Sequence, residues 1–457
     1  MLEQKISLYK KREKIHPIKS RGFFTNIRFF FYYFFLFLYF FLPWIQYNNR
    51  QSILFDLPSR KFYVFSFTLW PQNFFILYYL IIISILTLLF ITVFVGRVWC
   101  GYLCPQTVFV NFFVLIEEFF EGKRNNRIKM DKKKINIHFF VKRFLKHCSW
   151  ILFSFFISYT FVGYFCKKKE FFFFLLKFDI GFFECFFLIF FSFLIYFDAG
   201  WMREQICFYM CPYARFQSVM FDRDTIVVAY DLNRGEPRGS RRKNSDYKNI
   251  GLGDCIDCNQ CVNVCPVGID IRDGLQLECI HCSACIDKCN EVMHKMGYKK
   301  DLIKYTTENK LNGVKSSIVR IKLIMYCSVL LLMVLIFIYS LVFRIPFDVN
   351  ITRDRGQLYR ITFDEKVENT YILKIINMDQ KEKVYKVFVN SSKCLDYKGD
   401  DVVKVTGNSS VSFDIQLQKQ IYSYDSCYID VYFSFVDLED LYNKRIVKTV
   451  FVEKREN

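Results

Sequence analysis

Histidine is scarce in this chain. Five occur in 457 residues: His16, His138, His147, His281 and His294. None lies inside a long apolar run. A transmembrane b-type haem needs paired axial ligands within the bilayer, usually histidines, so that class is excluded. The chain has no G-x-G-x-x-G after a strand and no Walker motif, so no nicotinamide, flavin or nucleotide site is evident. Nor does a small-residue cleavage site follow the first apolar run, which ends at Pro43 and Trp44; that run is expected to stay as a membrane span. Acidic residues are outnumbered, 44 against 63 Lys and Arg, for a net charge of +19. Nucleic-acid binding is one reading of such a balance. The distribution described below ties the charge to membrane insertion and anionic lipid instead.

Cysteine, in contrast, is plentiful, at 18 residues. Eight form one pattern twice over: Cys255, Cys258, Cys261 and Cys265 with Pro266 behind, then Cys279, Cys282, Cys285 and Cys289. This is the spacing of a bacterial ferredoxin with two [4Fe–4S] clusters, in which the fourth cysteine of each run serves the other cluster. Cys255, Cys258, Cys261 and Cys289 are therefore assigned to one cluster. Cys279, Cys282, Cys285 and Cys265 take the other. Paired zinc sites would not call for the third short spacing in each half, and no disulfide framework asks for it. His281, inside the second run, has two readings: a residue that tunes a cluster by hydrogen bonding or, as expected first, a solvated loop residue.

A fifth of the chain is aromatic, mostly Phe in runs. Five stretches approach the roughly 20 residues of a membrane span: Phe29–Pro43, Phe74–Val95, Trp150–Phe165, Ile180–Phe197 and Ile321–Phe343. Phe171–Leu176 is too short and reads as an interfacial anchor. Basic residues crowd the N-terminal tail, from Lys5 to Arg28, and the loop Lys123–Lys146. The loop after the first span has only Arg50, Arg60 and Lys61. Positive charge stays inside, so the N-terminus and the ferredoxin segment are expected in the cytoplasm and the C-terminal segment outside; Lys167–Lys169 run against this orientation. Beyond Pro346, short β-branched runs (Tyr371–Ile376, Val384–Val389, Val411–Leu417, Cys427–Phe433 and Val447–Val452) alternate with turn clusters, the pattern of a small β-sandwich. The expected organisation is a basic tail (1–28), a four-span membrane domain (29–220), a ferredoxin domain (221–320, core 250–296), a fifth span (321–343) and an immunoglobulin-like sandwich (346–457).

A second cysteine motif is also duplicated. Cys100-x-Tyr102-x-Cys104-Pro105 follows the second span. Cys207-x-Tyr209-x-Cys211-Pro212 follows the fourth. Phe109 and Phe216 recur four positions past each proline. On a continuous helix this spacing would place both sulfurs of a pair on one face. Four soft thiolates at a membrane edge suit Cu(I), zinc or a further iron–sulfur cluster, and the choice stays open. Cys148, Cys166, Cys185 and Cys327 read as packing residues, and Cys394 and Cys427 as a pair able to oxidise outside the cell.

These motifs resemble the FixG/CcoG (RdxA) family over nearly the full length. The resemblance rests on Gly96 to Thr107, Trp201 to Gln217, Arg234 to Gly239, Gly268 to Gln276, and on Asn369, Tyr371 and Asn377 in the tail. One departure is Asn290, where the pattern has proline after the last cluster cysteine. The resemblance implies an accessory protein of cbb3-type cytochrome c oxidase in the bacterial inner membrane. It would reduce Cu(II) to Cu(I), with Cys100, Cys104, Cys207 and Cys211 as the place of reduction, and meet oxidase assembly proteins and an unidentified electron donor. A homodimer is left open. Two rivals stand beside it. A quinol-linked carrier resembling NapH would need a quinone pocket near Trp99 and Trp201. A non-catalytic assembly scaffold would work without its ferredoxin cysteines.

Overall fold

The computed structural model describes residues 14–452 except 49, 133–135, 167–180, 244–245, 355, 365, 392–394, 421–427 and 441–442. The basic run Lys5–Arg12, Lys167–Lys169, the anchor Phe171–Leu176 and the Cys394/Cys427 pair lie outside those residues. The chain forms two compact units: 1–56 with 80–334, and 57–79 with 335–457.

In the first unit apolar runs become helices because a backbone away from water must satisfy its own hydrogen bonds. Phe74–Val95 carries no charge at all. Its 22 residues rise roughly 33 Å, enough to cross a bilayer core. Ile137–Val162 starts well before the apolar stretch read from sequence. Asn136 caps it by accepting from the Ile137 amide at 2.8 Å. The described residues contain six helices long and apolar enough to cross a membrane, one more than the five expected. The addition is Val98–Glu121. Read as sequence, Pro105, Gln106, Asn111, Glu117 and Glu118 break that run. The fold pairs off part of its charge: buried Glu117 accepts from Arg203 at 2.6 Å and meets Lys14 at 2.9 Å, and Glu121 meets Lys146 at 2.7 Å.

The ferredoxin lobe is built on repeated backbone turns. Asp257 and Asn259 in the first cysteine loop have positive φ, and His281 and Ser283 occupy the equivalent places in the second. Left-handed residues curl each loop back on itself, so alternate sulfurs face one point; short polar side chains tolerate that conformation best. Each loop runs into a helix, Gln260–Val264 and Ala284–Met296, and the antiparallel pair Val227–Tyr230 and Ile303–Thr306 closes the lobe.

The second unit is a β-sandwich. One sheet orders Asp396–Lys398, Ser410–Gln420, Lys366–Asn377 and Phe347–Arg353, with Arg360–Ile361 also on Lys366–Asn377; the other orders Val402–Val405, Lys383–Ser391, Tyr428–Asp437 and Lys444–Val452. Alternate residues Tyr371, Leu373 and Ile375 point inward and meet Phe433 and Phe435, all fully buried. Asn369 and Tyr371 tie this core to the last strand through the Val452 and Val450 carbonyls. The hairpin Lys61–Val64 and Phe67–Leu69 belongs to this unit. Trp70 packs on Ile376 and Met378, and Lys61 donates to the Asn408 carbonyl.

Candidate iron–sulfur and membrane-edge cysteine site

Two hollows lie inside the ferredoxin lobe. One is lined by Cys255, Cys258, Cys261 and Cys289; the other by Cys265, Cys279, Cys282 and Cys285, with Cys261 at its edge. Each set takes three cysteines from one loop and one from the far run. Among the described residues no three His, Cys, Asp or Glu side chains converge as ligands of a single ion. Sulfurs standing around a hollow fit a cluster of several irons.

The walls exclude water. Met293, Leu302 and Ile303 are buried around the first hollow, and Val267 and Ile271 around the second. Arg272 pins the first loop: it donates to Asp257 at 2.6 Å, to Asn259 at 2.5 Å and to both oxygens of Asp270. Burial pushes the thiols of Cys261, Cys279 and Cys289 up to about 12 and that of Cys265 up to about 11. In the metal-free protein they are protonated at neutral pH, and ligation needs thiolates. Anaerobic reconstitution is therefore expected to release protons and to proceed faster as pH rises between about 6 and 9. Proton release measured in weak buffer checks this; a rate independent of pH would contradict it.

His281 corrects the sequence reading. It is 1 % exposed, not solvated. Its ring stacks on Phe221, and its Nδ1 accepts from the Arg97 amide at 3.0 Å. Burial pulls the imidazole down to about 4, so it stays neutral and keeps that acceptor. Gly96 has φ +58, and a Cβ there would meet the His281 ring at 2.5 Å. The surroundings of an apolar-flanked loop residue cannot be read from the loop alone; the partner is a span end nearly two hundred residues earlier.

More contacts seat the lobe against the helices. Asp287 accepts from the amides of Phe24 and Thr25 and from the Thr25 hydroxyl. Gly22 offers the helix Phe23–Phe41 no side-chain cap, so this carboxylate satisfies the exposed donors from another element. Tyr102 donates to Ser283, and Arg28 to the Cys282 carbonyl. Gly101 approaches the backbone of the second cysteine loop: a Cβ there would meet Ile280 O at 2.6 Å and Cys282 Cα at 2.9 Å. Cys100 packs against the residues of the second hollow.

The two membrane-edge motifs meet. Cys100, Cys104, Cys207 and Cys211 lie within electrostatic reach of one another. Arg97 of the first motif donates to the Ala214 carbonyl after the second, and Gln106 donates to Asp198 at 2.6 Å. The expectation of one helical face per pair does not hold. The short helix Val98–Tyr102 ends at Leu103, and Cys104 is extended and caps a new helix, Pro105–Glu121. Cys207 sits in the wide turn Ile206–Met210, and Cys211 is extended before Pro212–Met220. Proline lacks an amide and favours the first helical position, so each Cys-Pro step starts a fresh helix. Consistent with this, the four thiols do not converge on one ion. Thr107, which donates to the Cys100 carbonyl at 2.7 Å, and Gln217, 3.8 Å from the Cys100 sulfur, were not singled out as site residues from sequence, although both sit in the quoted motif stretches.

Apolar helices carrying two cysteine-lined cluster hollows against a thiol-rich membrane edge define a membrane iron–sulfur electron-transfer protein. Comparison with known proteins agrees. A "4Fe-4S dicluster domain" model matches 202–308, a "4Fe-4S binding domain" model 77–126, and a model of the "IG-like fold at C-terminal of FixG" 337–452. Nitrogen fixation protein FixG of Rhizobium meliloti is 33% identical over 82% of this chain and 79% of its own length. Proteins RdxB and RdxA of Cereibacter sphaeroides are 35% and 33% identical, over 85% and 84% of this chain and 84% of their own lengths. The chain belongs to the FixG/RdxA family.

Proposed function

We propose that this protein passes single electrons to Cu(II) at the membrane-edge cysteines, supplying Cu(I) for assembly of a cbb3-type cytochrome c oxidase. In this reading Cys255, Cys258, Cys261 and Cys289 hold one [4Fe–4S] cluster and Cys265, Cys279, Cys282 and Cys285 the other; when bound, these groups supply one-electron transfer. The observation that carries the reading is the contact of Cys100 with the shell of the second hollow. No aqueous gap separates the lobe from the motif there, so an electron has a packed route between them. Cu(II) gains one electron and becomes Cu(I), the ion that soft thiolates favour. The chain's own residues position the parts: Gly101 permits the approach, His281 and Asp287 hold it, and Arg97 joins the two motifs.

The test separates electron source from copper site. Cys258→Ala or Cys282→Ala should abolish Cu(II) reduction by dithionite-reduced protein, read with a Cu(I)-specific dye. Both variants should still bind Cu(I), because the membrane-edge thiols are untouched. Unchanged reduction in both would sink the reading.

Sidedness follows from charge. The N-terminal segment, the Lys123–Lys146 loop and the ferredoxin lobe belong to one unit, while the loop 57–79 packs with the sandwich. With positive charge inside, and with Val98–Glu121, interrupted at Leu103 and Cys104, lying at the cytoplasmic edge rather than crossing, the other five helices cross and put the first set in the cytoplasm and the sandwich in the periplasm, in the bacterial inner membrane. Alkaline phosphatase fused after Phe451 should be active, and fused within Lys123–Lys146 inactive. The opposite pattern would invert the protein.

A further inference from the structure

A third hollow adjoins the second cysteine set. This cleft lies between the helix Phe23–Phe41, the helix Pro105–Glu121 and the ferredoxin loops, and Cys282 lines it. Phe29, Val110 and Val114 give it apolar walls. Two lining residues carry unused donors. Arg28, 9 % exposed, donates through Nη1 to the Cys282 carbonyl, but its Nε has no partner; the Nδ2 of Asn111 has none either. A buried N–H group without an acceptor calls for an explanation, and a ligand oxygen at the edge of the cleft would supply one. The Glu118 carboxylate also lines the cleft.

From this set we infer that the cleft binds a membrane quinol, the electron donor to the protein. The inference rests on the proposed copper reduction only for the final acceptor. A flat apolar ring suits walls built by two membrane-type helices. Its two oxygens suit donors at Arg28 and Asn111, and a carboxylate suits the departing protons. On oxidation both quinol O–H bonds break. Two protons leave by way of Glu118 and solvent. Two electrons pass one at a time to the two iron–sulfur groups and on to two Cu(II) ions. One quinol and two Cu(II) thus yield one quinone, two Cu(I) and two protons. Two one-electron sites match one two-electron donor. The cleft is not where sequence reasoning would seek a quinone, near Trp99 and Trp201. Trp201 instead lines a separate hollow with His147 and Trp150.

The test uses the full-length protein in detergent with decylubiquinone and decylubiquinol as probes. Binding is read by quenching of tryptophan fluorescence, and electron entry by bleaching of the visible iron–sulfur absorption. Asn111→Leu removes one donor at similar size; Val114→Trp fills the cleft. Each is expected to weaken decylubiquinone binding about tenfold, the worth of roughly one hydrogen bond or more, and to slow bleaching by decylubiquinol as much. Dithionite, which needs no cleft, should bleach all forms at one rate. Should Val114→Trp fail to fold, Asn111→Leu decides alone. Parent protein that binds no decylubiquinone, or an Asn111→Leu variant that binds it as tightly as the parent, would overturn the proposal. Protein bleached by decylubiquinol that leaves Cu(II) unreduced would overturn the copper reading and leave the cleft assignment standing.

Discussion

Replacing Cys100 and Cys207 together by serine is expected to lower Cu(II) reduction by dithionite-reduced protein about 100-fold, the scale set by losing metal-site thiolates and their support. Iron and acid-labile sulfide should stay at parent levels. The two hollows are lined by other cysteines, so cluster loading does not depend on either substituted residue. Cys100 is the thiol packed against the second hollow, and Cys207 a second-motif thiol that acts on it electrostatically. Burial and the neighbouring Cys104 and Cys211 push the Cys207 thiol up to about 12. Without metal this group is inert as a nucleophile; on the proposed reading, copper displaces its proton. Serine preserves shape and removes softness, so the change isolates ligand chemistry from packing. Stopped-flow mixing with Cu(II) and a Cu(I)-trapping dye reads the result. A rate equal to the parent's would place copper elsewhere.

Gly101→Ala is expected to cost nearly as much by a different route. The added methyl would come within 2.6 Å of Ile280 O and 2.9 Å of Cys282 Cα. Both are backbone atoms of the second cysteine loop and cannot rotate aside. Either the loop shifts or the short helix Val98–Tyr102 does, and overpacking of this kind costs about 1–3 kcal/mol. The hydrogen bonds from the Arg97 amide to His281 and from Tyr102 to Ser283 flank the contact and would be strained with it. A displacement near 1 Å between reacting groups can cost about 100-fold in rate. Transfer to Cu(II) should therefore slow by up to that factor while dithionite still reduces the protein fully. A variant with parent transfer rate and parent melting temperature would show that the lobe does not work from this seat.

What was legible in sequence was local. The ferredoxin spacing is a property of two short loops, and the left-handed turns at Asp257, Asn259, His281 and Ser283 recur at the same places in each. The spans follow from length and apolarity, and most sandwich strands from alternation. Tyr371, Leu373 and Ile375 face inward because they are two residues apart. The family resemblance, carried by motifs, agrees with the relatives found.

The tertiary structure decided what distance in sequence conceals. The exchange of Cys289 and Cys265 between the loops was already a consequence of spacing; what the packed lobe added is the apolar shell around each set and its contact with Cys100. Membrane-edge pairs left a common helical face because Pro105 and Pro212 each begin a new helix. Val98–Glu121 joined the span-length helices once Glu117 and Glu121 found Arg203, Lys14 and Lys146, partners that no local pattern announces. His281 became a buried acceptor for the same reason. Spacing fixes which groups can bind iron; burial and long-range contact fix which of them face one another, and electron transfer depends on that second choice.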